Sequence, residues 1–115
     1  AENWGANLIA NVDQPEKEME TADLFLRLGV RRVSASAFLK LTPAVVKIAA
    51  TGLTADAEGR PVRRNFVFAK VSRPEVAEAF LSPPPAAMLA ALVEAGHITA
   101  AEAALAASIP VASGR

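Results

Sequence analysis

Apolar and polar positions along the chain fall into a repeating order: a short apolar run, a polar turn, then a stripe at helical spacing. The clearest copy begins at Phe66-Val67-Phe68-Ala69, a continuous apolar run that predicts a strand covered on both faces. Lys70 stands where that strand becomes turn. Ser72, Pro74 and Glu75 have the spacing of a capping box with a first-turn proline, and predict a helix through Phe80. An earlier copy runs from Ala6-Asn7-Leu8-Ile9-Ala10 through the turn Asn11-Val12-Asp13. Asp13, Pro15 and Glu16 repeat the cap signature, and a helix is expected over residues 15–28. Met19, Ala22, Phe25 and Leu26 share one face of it, Gly29 suits its C-cap, and Asp23 with Arg27 has i,i+4 spacing. Between the two copies, residues 30–38 read as a strand ending in small side chains, and Thr42-Pro43 opens a helix to residue 50.

Residues 51–64 are rich in Gly, Thr and charge, and read as a loop with a short strand near Val62. Ser82-Pro83-Pro84-Pro85 then breaks the pattern, because a proline run stops a helix. Two short helices follow over residues 86–94 and 100–107, with Met88, Leu89, Leu92 and Val93 striping the first and Ala103, Leu105, Ala106 and Ile109 the second. The turn between them is Ala95-Gly96-His97-Ile98, and Thr99 with Glu102 forms a further capping box. Ile109-Pro110-Val111-Ala112 suits the start of another strand.

The order is βα, βα, βα and then αα, which predicts an α/β fold with a parallel sheet. No glycine lies between Asn7 and Pro15, which argues against a dinucleotide-binding Rossmann turn. A (β/α)₈ barrel fits the alternation, but needs eight strands and about 250 residues. The expected class is therefore consecutive β-α units of a partial TIM-type (β/α) barrel, followed by a helical hairpin. The expected division is a barrel segment over 1–81, a hairpin insertion over 82–109, and the start of a further strand or a tail over 110–115. Such a sheet must bury its edges against the remainder of a barrel or a self-associating copy.

Composition narrows the chemistry. The 115 residues are 52% apolar, enough for a core, with 12 basic and 12 acidic residues and a formal net charge of zero. No basic footprint for nucleic acid or an anionic membrane stands out. No cysteine is present, so thiol nucleophiles and thiolate metal sites are excluded. A single histidine excludes a multi-histidine metal site within the chain. The apolar runs are too short to span a bilayer, and a cytoplasmic setting is the default. Lys70, at the carboxyl end of a parallel strand, lies where α/β enzymes bind ligands. Trp4 is expected in the core or a lid. Arg60, Arg63 and Arg64 form a basic cluster, read first as a solvated lead-in to the next strand and second as a docking patch for an acidic partner.

Several blocks in order carry a more specific signal. These are Gly5-Ala6-Asn7-Leu8-Ile9, Gly29-Val30-Arg31-Arg32-Val33-Ser34-Ala35-Ser36-Ala37-Phe38, Leu41-Thr42-Pro43-Ala44-Val45-Val46, and Ala69-Lys70-Val71-Ser72-Arg73-Pro74-Glu75-Val76-Ala77 with Ser82-Pro83-Pro84-Pro85. They resemble consecutive blocks of the PfaD-type enoyl reductases, trans-acting flavin enzymes within the wider nitronate monooxygenase (2-nitropropane dioxygenase-like) family of FMN barrels. The resemblance covers nearly the whole chain, including Gly96-His97-Ile98-Thr99. It implies that Asn7, in the family's Gly-x-Asn strand, contacts FMN and that Lys70 lies near the FMN phosphate. Ser34 and Ser36 would face the ring or the substrate cavity. A second polar contact found two residues after the asparagine in some relatives falls on Ile9 here and is not carried over. The family's Gly-Gly-His segment lies downstream of a strand like Val111-Ala112, so the catalytic histidine is expected outside this chain; His97 is not that residue, and reads as a surface turn residue.

The function implied by the resemblance is a segment of an FMN-dependent oxidoreductase that reduces enoyl thioesters on acyl carrier protein, in polyketide or polyunsaturated fatty acid biosynthesis, with NAD(P)H as the parent's reductant. Its implied partner is an acyl carrier protein or polyketide synthase, and the chain alone is expected to be inactive. Two other readings stand beside it: a non-catalytic module docking a carrier protein or synthase, and part of a nitronate monooxygenase, which the hairpin and the Val-Ser-Arg-Pro-Glu block disfavour.

Overall fold

The computed structural model describes residues 5–9, 14–36, 40–70 and 73–112. Three strands, β1 (Gly5–Ile9), β2 (Arg32–Ser36) and β5 (Phe66–Lys70), form a parallel sheet in the order β1-β2-β5. Each is followed by a helix: α1 (Pro15–Arg27), α2 (Pro43–Ala50) and α3 (Pro74–Phe80). The hairpin helices are α4 (Ala86–Glu94) and α5 (Ala100–Ala106). The α/β class with parallel strands is thus as expected. Residues 51–64 are more ordered than a loop: β3 (Thr54–Ala55) and β4 (Pro61–Val62) pair antiparallel. Asp56 organises their turn, its Oδ1 accepting the backbone N–H groups of Glu58 and Arg60, both at 2.9 Å.

The helices start at the expected prolines, but two of the three caps lie one residue later than expected. All three β-α helices begin with proline at N1, which fixes their caps at Gln14, Thr42 and Arg73. None of these three side chains makes the capping bond to its helix. The boxes anchored on Asp13 and Ser72 are thus shifted out of phase; both residues lie outside the described ones, as do Trp4 and the Asn11-Val12-Asp13 turn. Thr42 sits at its cap, but its hydroxyl donates to Glu18 on α1 instead. The Thr99/Glu102 box forms in full. The helix ends follow the glycines: Gly29 (φ 74°) and Gly96 (φ 80°) take the left-handed turn that α1 and α4 need. Behind each, the Schellman pair closes, Val30 N–H to Phe25 and Gly29 N–H to Leu26 for α1, His97 N–H to Leu92 and Gly96 N–H to Val93 for α4.

One face of the sheet packs on the helices. Leu8, Val33, Ala35, Val67 and Ala69 point into a core shared with Ala22, Val45, Ile48 and Phe80. Helix α2 carries this core to the hairpin, packing on both α4 and α5 through Leu89, Leu92 and Ala106. None of the described residues covers the opposite sheet face, which corrects the reading of Phe66-Val67-Phe68-Ala69 as buried on both sides. Burial along β5 alternates, and Phe66 is 37% exposed. Three strands cannot close on themselves, so the second face has nothing among the described residues to cover it.

Two further expectations change. Asp23 pairs with Lys47 on α2 instead of running along α1 to Arg27. Residues 110–112 form no strand; Val111 N–H and Ala112 N–H donate to the carbonyls of Ser82 and Phe80.

Candidate functional site

Parallel register brings the candidate residues to one place. Asn7 on β1 lies opposite Ser34 on β2, which lies opposite Phe68 on β5. Two residues on, Ser36 lies opposite Lys70. Successive side chains on a strand alternate faces, so Asn7, Ser34, Ser36, Phe68 and Lys70 all stand on the face that the helices leave open. Lys70 is the last residue of β5 and is exposed; Ser34 and Ser36 are half-buried. The Ser36 hydroxyl donates to Asn7 Oδ1 at 2.7 Å. The four residues singled out from sequence therefore share a surface, with a direct bond between two of them.

The chemistry of that surface suits a ligand that is both anionic and flat. Ser36 holds the Asn7 amide oxygen, which leaves its two N–H donors directed elsewhere. Lys70 has no ion-pair partner among the described residues. Gly5, Asn7, Arg32, Ser34, Ser36, Phe66, Phe68 and Lys70 occupy the open-face positions, and none of them is an acid that would repel a phosphate. Phe66 and Phe68 add apolar ring surface.

The other residues that the sequence drew attention to sit apart from this surface. The arginines at 60, 63 and 64 do not form a patch. Arg60 pairs with Asp56 and Glu58, each at 3.3 Å. Arg63 is half-buried against the segment after α5, donating to the carbonyls of Pro110 and Val111. Burial lowers its guanidinium from its ordinary value. Arg64 lies against Gly52, where an added Cβ would meet its side chain. His97 is half-buried rather than a free surface residue: its Nδ1 lies 2.9 Å from Lys47 Nζ, which also holds Asp23. This Asp23–Lys47–His97 chain ties α1 and α2 to the hairpin turn. Sequence spacing held no sign of it, because its members are separated by 24 and 50 residues.

Comparison with known proteins places these residues in a lineage. No family-level sequence model matches the chain. The polyketide biosynthesis protein PksE of Bacillus subtilis (strain 168) is 45% identical over 109 residues, which cover 95% of this chain and 14% of PksE. A component of the polyunsaturated fatty acid synthase of Thraustochytrium sp. is 44% identical over 109 residues, 95% of this chain and 7% of that protein. In structure, the enoyl reductase domain of MlnA, from the macrolactin biosynthesis cluster of Bacillus amyloliquefaciens, superposes with a TM-score of 0.88 at 37% identity, over 94% of this chain and 25% of that one. The chain thus spans a small part of each relative. Nearly its whole length is shared in sequence with the first two and in fold with the MlnA domain, and it belongs, as a segment, to the family of PfaD-type enoyl reductases.

Proposed function

We propose that this chain supplies one wall of the cofactor and substrate cavity of an FMN-dependent enoyl reductase acting on carrier-bound enoyl thioesters in polyketide or polyunsaturated fatty acid synthesis. The observation that carries this reading is the shared open face, where Ser36 fixes Asn7 and stands in register with Lys70 at the strands' carboxyl ends. In that setting the three strands are consecutive staves of a (β/α) barrel over residues 1–81, and the hairpin of 82–109 is an insertion on its outside. The open face is then the barrel's interior, which explains why a parallel sheet shows polar positions there.

FMN, once bound, would supply the hydride chemistry, with NAD(P)H restoring it. The chain's own residues do three simpler things. Lys70 sets a positive point charge where a phosphate would sit. Asn7, its oxygen held by Ser36, offers amide donors to a flavin edge from a fixed rotamer. Ser34 and Ser36 keep the carboxyl end of β2 narrow, leaving room for a planar ligand. A docking module without chemistry gains no support from the arginines, since Arg60 and Arg63 are already engaged.

The test is a chimera in which this chain replaces the matching quarter of the MlnA enoyl reductase domain. It is expected to copurify with FMN and to reduce a crotonyl thioester. Lys70→Ala should weaken FMN binding by about tenfold or more, the worth of one charge-assisted phosphate contact. A folded chimera whose flavin affinity is indifferent to Lys70→Ala and Asn7→Ala would overturn the site assignment.

A further inference from the structure

Charge on the open face is one-sided. Arg32 stands at its amino end and Lys70 at its carboxyl end, with no Asp or Glu at the positions between. Lys70 has a role in the proposed phosphate site; Arg32 does not. Four residues of strand at about 3.3 Å each put Arg32 about 13 Å from Ser36, too far to share a small ligand's charge.

Nothing in its own row meets Arg32. Its register neighbours are Gly5 and Phe66. Gly5 has no side chain, and a Cβ there would stand 3.5 Å from Arg32 Cβ, so the two positions open to the same side. Phe66 carries no hydrogen-bond acceptor in its side chain. Arg32 is exposed and has no ion-pair partner among the described residues. Left in water it costs nothing. Covered by a neutral surface, its five N–H donors would lose their hydration with no acceptor, which disfavours such a cover strongly.

The face does need a cover, because Phe66 and Phe68 expose ring surface beside it. A second copy offering the same face would set Arg32 and Lys70 against like charges. The longer relatives supply a different cover: this chain accounts for 25% of the MlnA enoyl reductase domain it superposes on. We infer that the open face is covered by the remaining polypeptide of such a reductase, and that the covering surface presents a carboxylate opposite Arg32 and apolar side chains opposite Phe66 and Phe68. Arg32 then closes an interior ion pair at the amino end of the strands and selects the register of the strands that enclose it. The inference extends the barrel reading, but no flavin enters it.

The experiment is reconstitution in trans. The tagged chain is coproduced with the MlnA enoyl reductase domain from which the matching quarter has been removed, and the amount retained is measured. Arg32→Glu and Arg32→Gln should each lower retention by about tenfold or more, as loss of one partner of an enclosed charge pair does. Glu58→Arg, at the tip of the β3–β4 turn, should leave retention within about twofold. Circular dichroism of each isolated variant checks its fold; should Arg32→Glu misfold, Arg32→Gln decides. Retention that survives loss of Arg32, no retention of the domain by the native chain, or self-association that depends on Arg32 would each overturn the inference. Retention without bound FMN would leave it standing and sink only the flavin assignment.

Discussion

Asn65 shows how much one buried amide can hold. It is 1% exposed and its Nδ2 donates to the carbonyls of Ile48 and Thr51, at 3.1 and 3.0 Å. Those are end-of-helix carbonyls of α2, so Asn65 fastens the helix to the start of β5. Asn65→Ala would leave one buried and one half-buried acceptor bare and should cost about 2 kcal/mol in urea unfolding. Gly52 offers a second test. With φ at +81° and an added Cβ only 2.5 Å from Arg64 Cδ, Gly52→Ala should destabilise by about 2 kcal/mol or more. Gly59 has the same φ with nothing within 4 Å, and Gly59→Ala should cost only about 1 kcal/mol. A melt in which the two glycine variants behave alike would contradict the packing of Arg64. Neither role was legible from the chain, since partners 14 to 17 residues away leave no local pattern for Asn65. Resemblance singled out Asn7, Ser36 and Lys70, while the bond that joins Ser36 to Asn7 needed the register.

At the scale of elements, period and punctuation carried most of the reading. The helices fall where the stripes, prolines and glycines put them, because a first-turn proline and a left-handed glycine are local requirements. Proline at N1 makes the residue before it the cap, so Gln14 and Arg73 take that place, one position later than the boxes on Asp13 and Ser72 demand. Glu102 shows what pattern alone misses. Its Oε1 accepts the Thr99 N–H in the expected box, and its Oε2 accepts Gly52 N–H at 2.7 Å, linking the hairpin to the turn after α2. Thr99→Ala should therefore cost about 1 kcal/mol, as a lost cap does, and Glu102→Ala about 2 kcal/mol, because it also bares a backbone donor. Equal losses in paired thermal melts would mean that the second oxygen contributes nothing.

The described residues form a sheet with helices on one side and an open face on the other. Parallel pairing followed from the alternation of elements, but the open face did not. Apolar residues at both Phe66 and Phe68 made β5 look enclosed, and the exposure of Phe66 reflects what three strands cannot do alone. On this view the polar row of Asn7, Ser34, Ser36 and Lys70 is one side of a cavity whose other sides lie in the remainder of the longer enzymes. The most direct measurement is the visible absorbance of the purified chain titrated with FMN, followed by assay with a crotonyl thioester and NAD(P)H. The expected result is weak flavin binding, far short of one FMN per chain at micromolar concentration, and no turnover. Tight stoichiometric binding with turnover would contradict the central claim, because the chain would then be a complete reductase rather than one wall of its site.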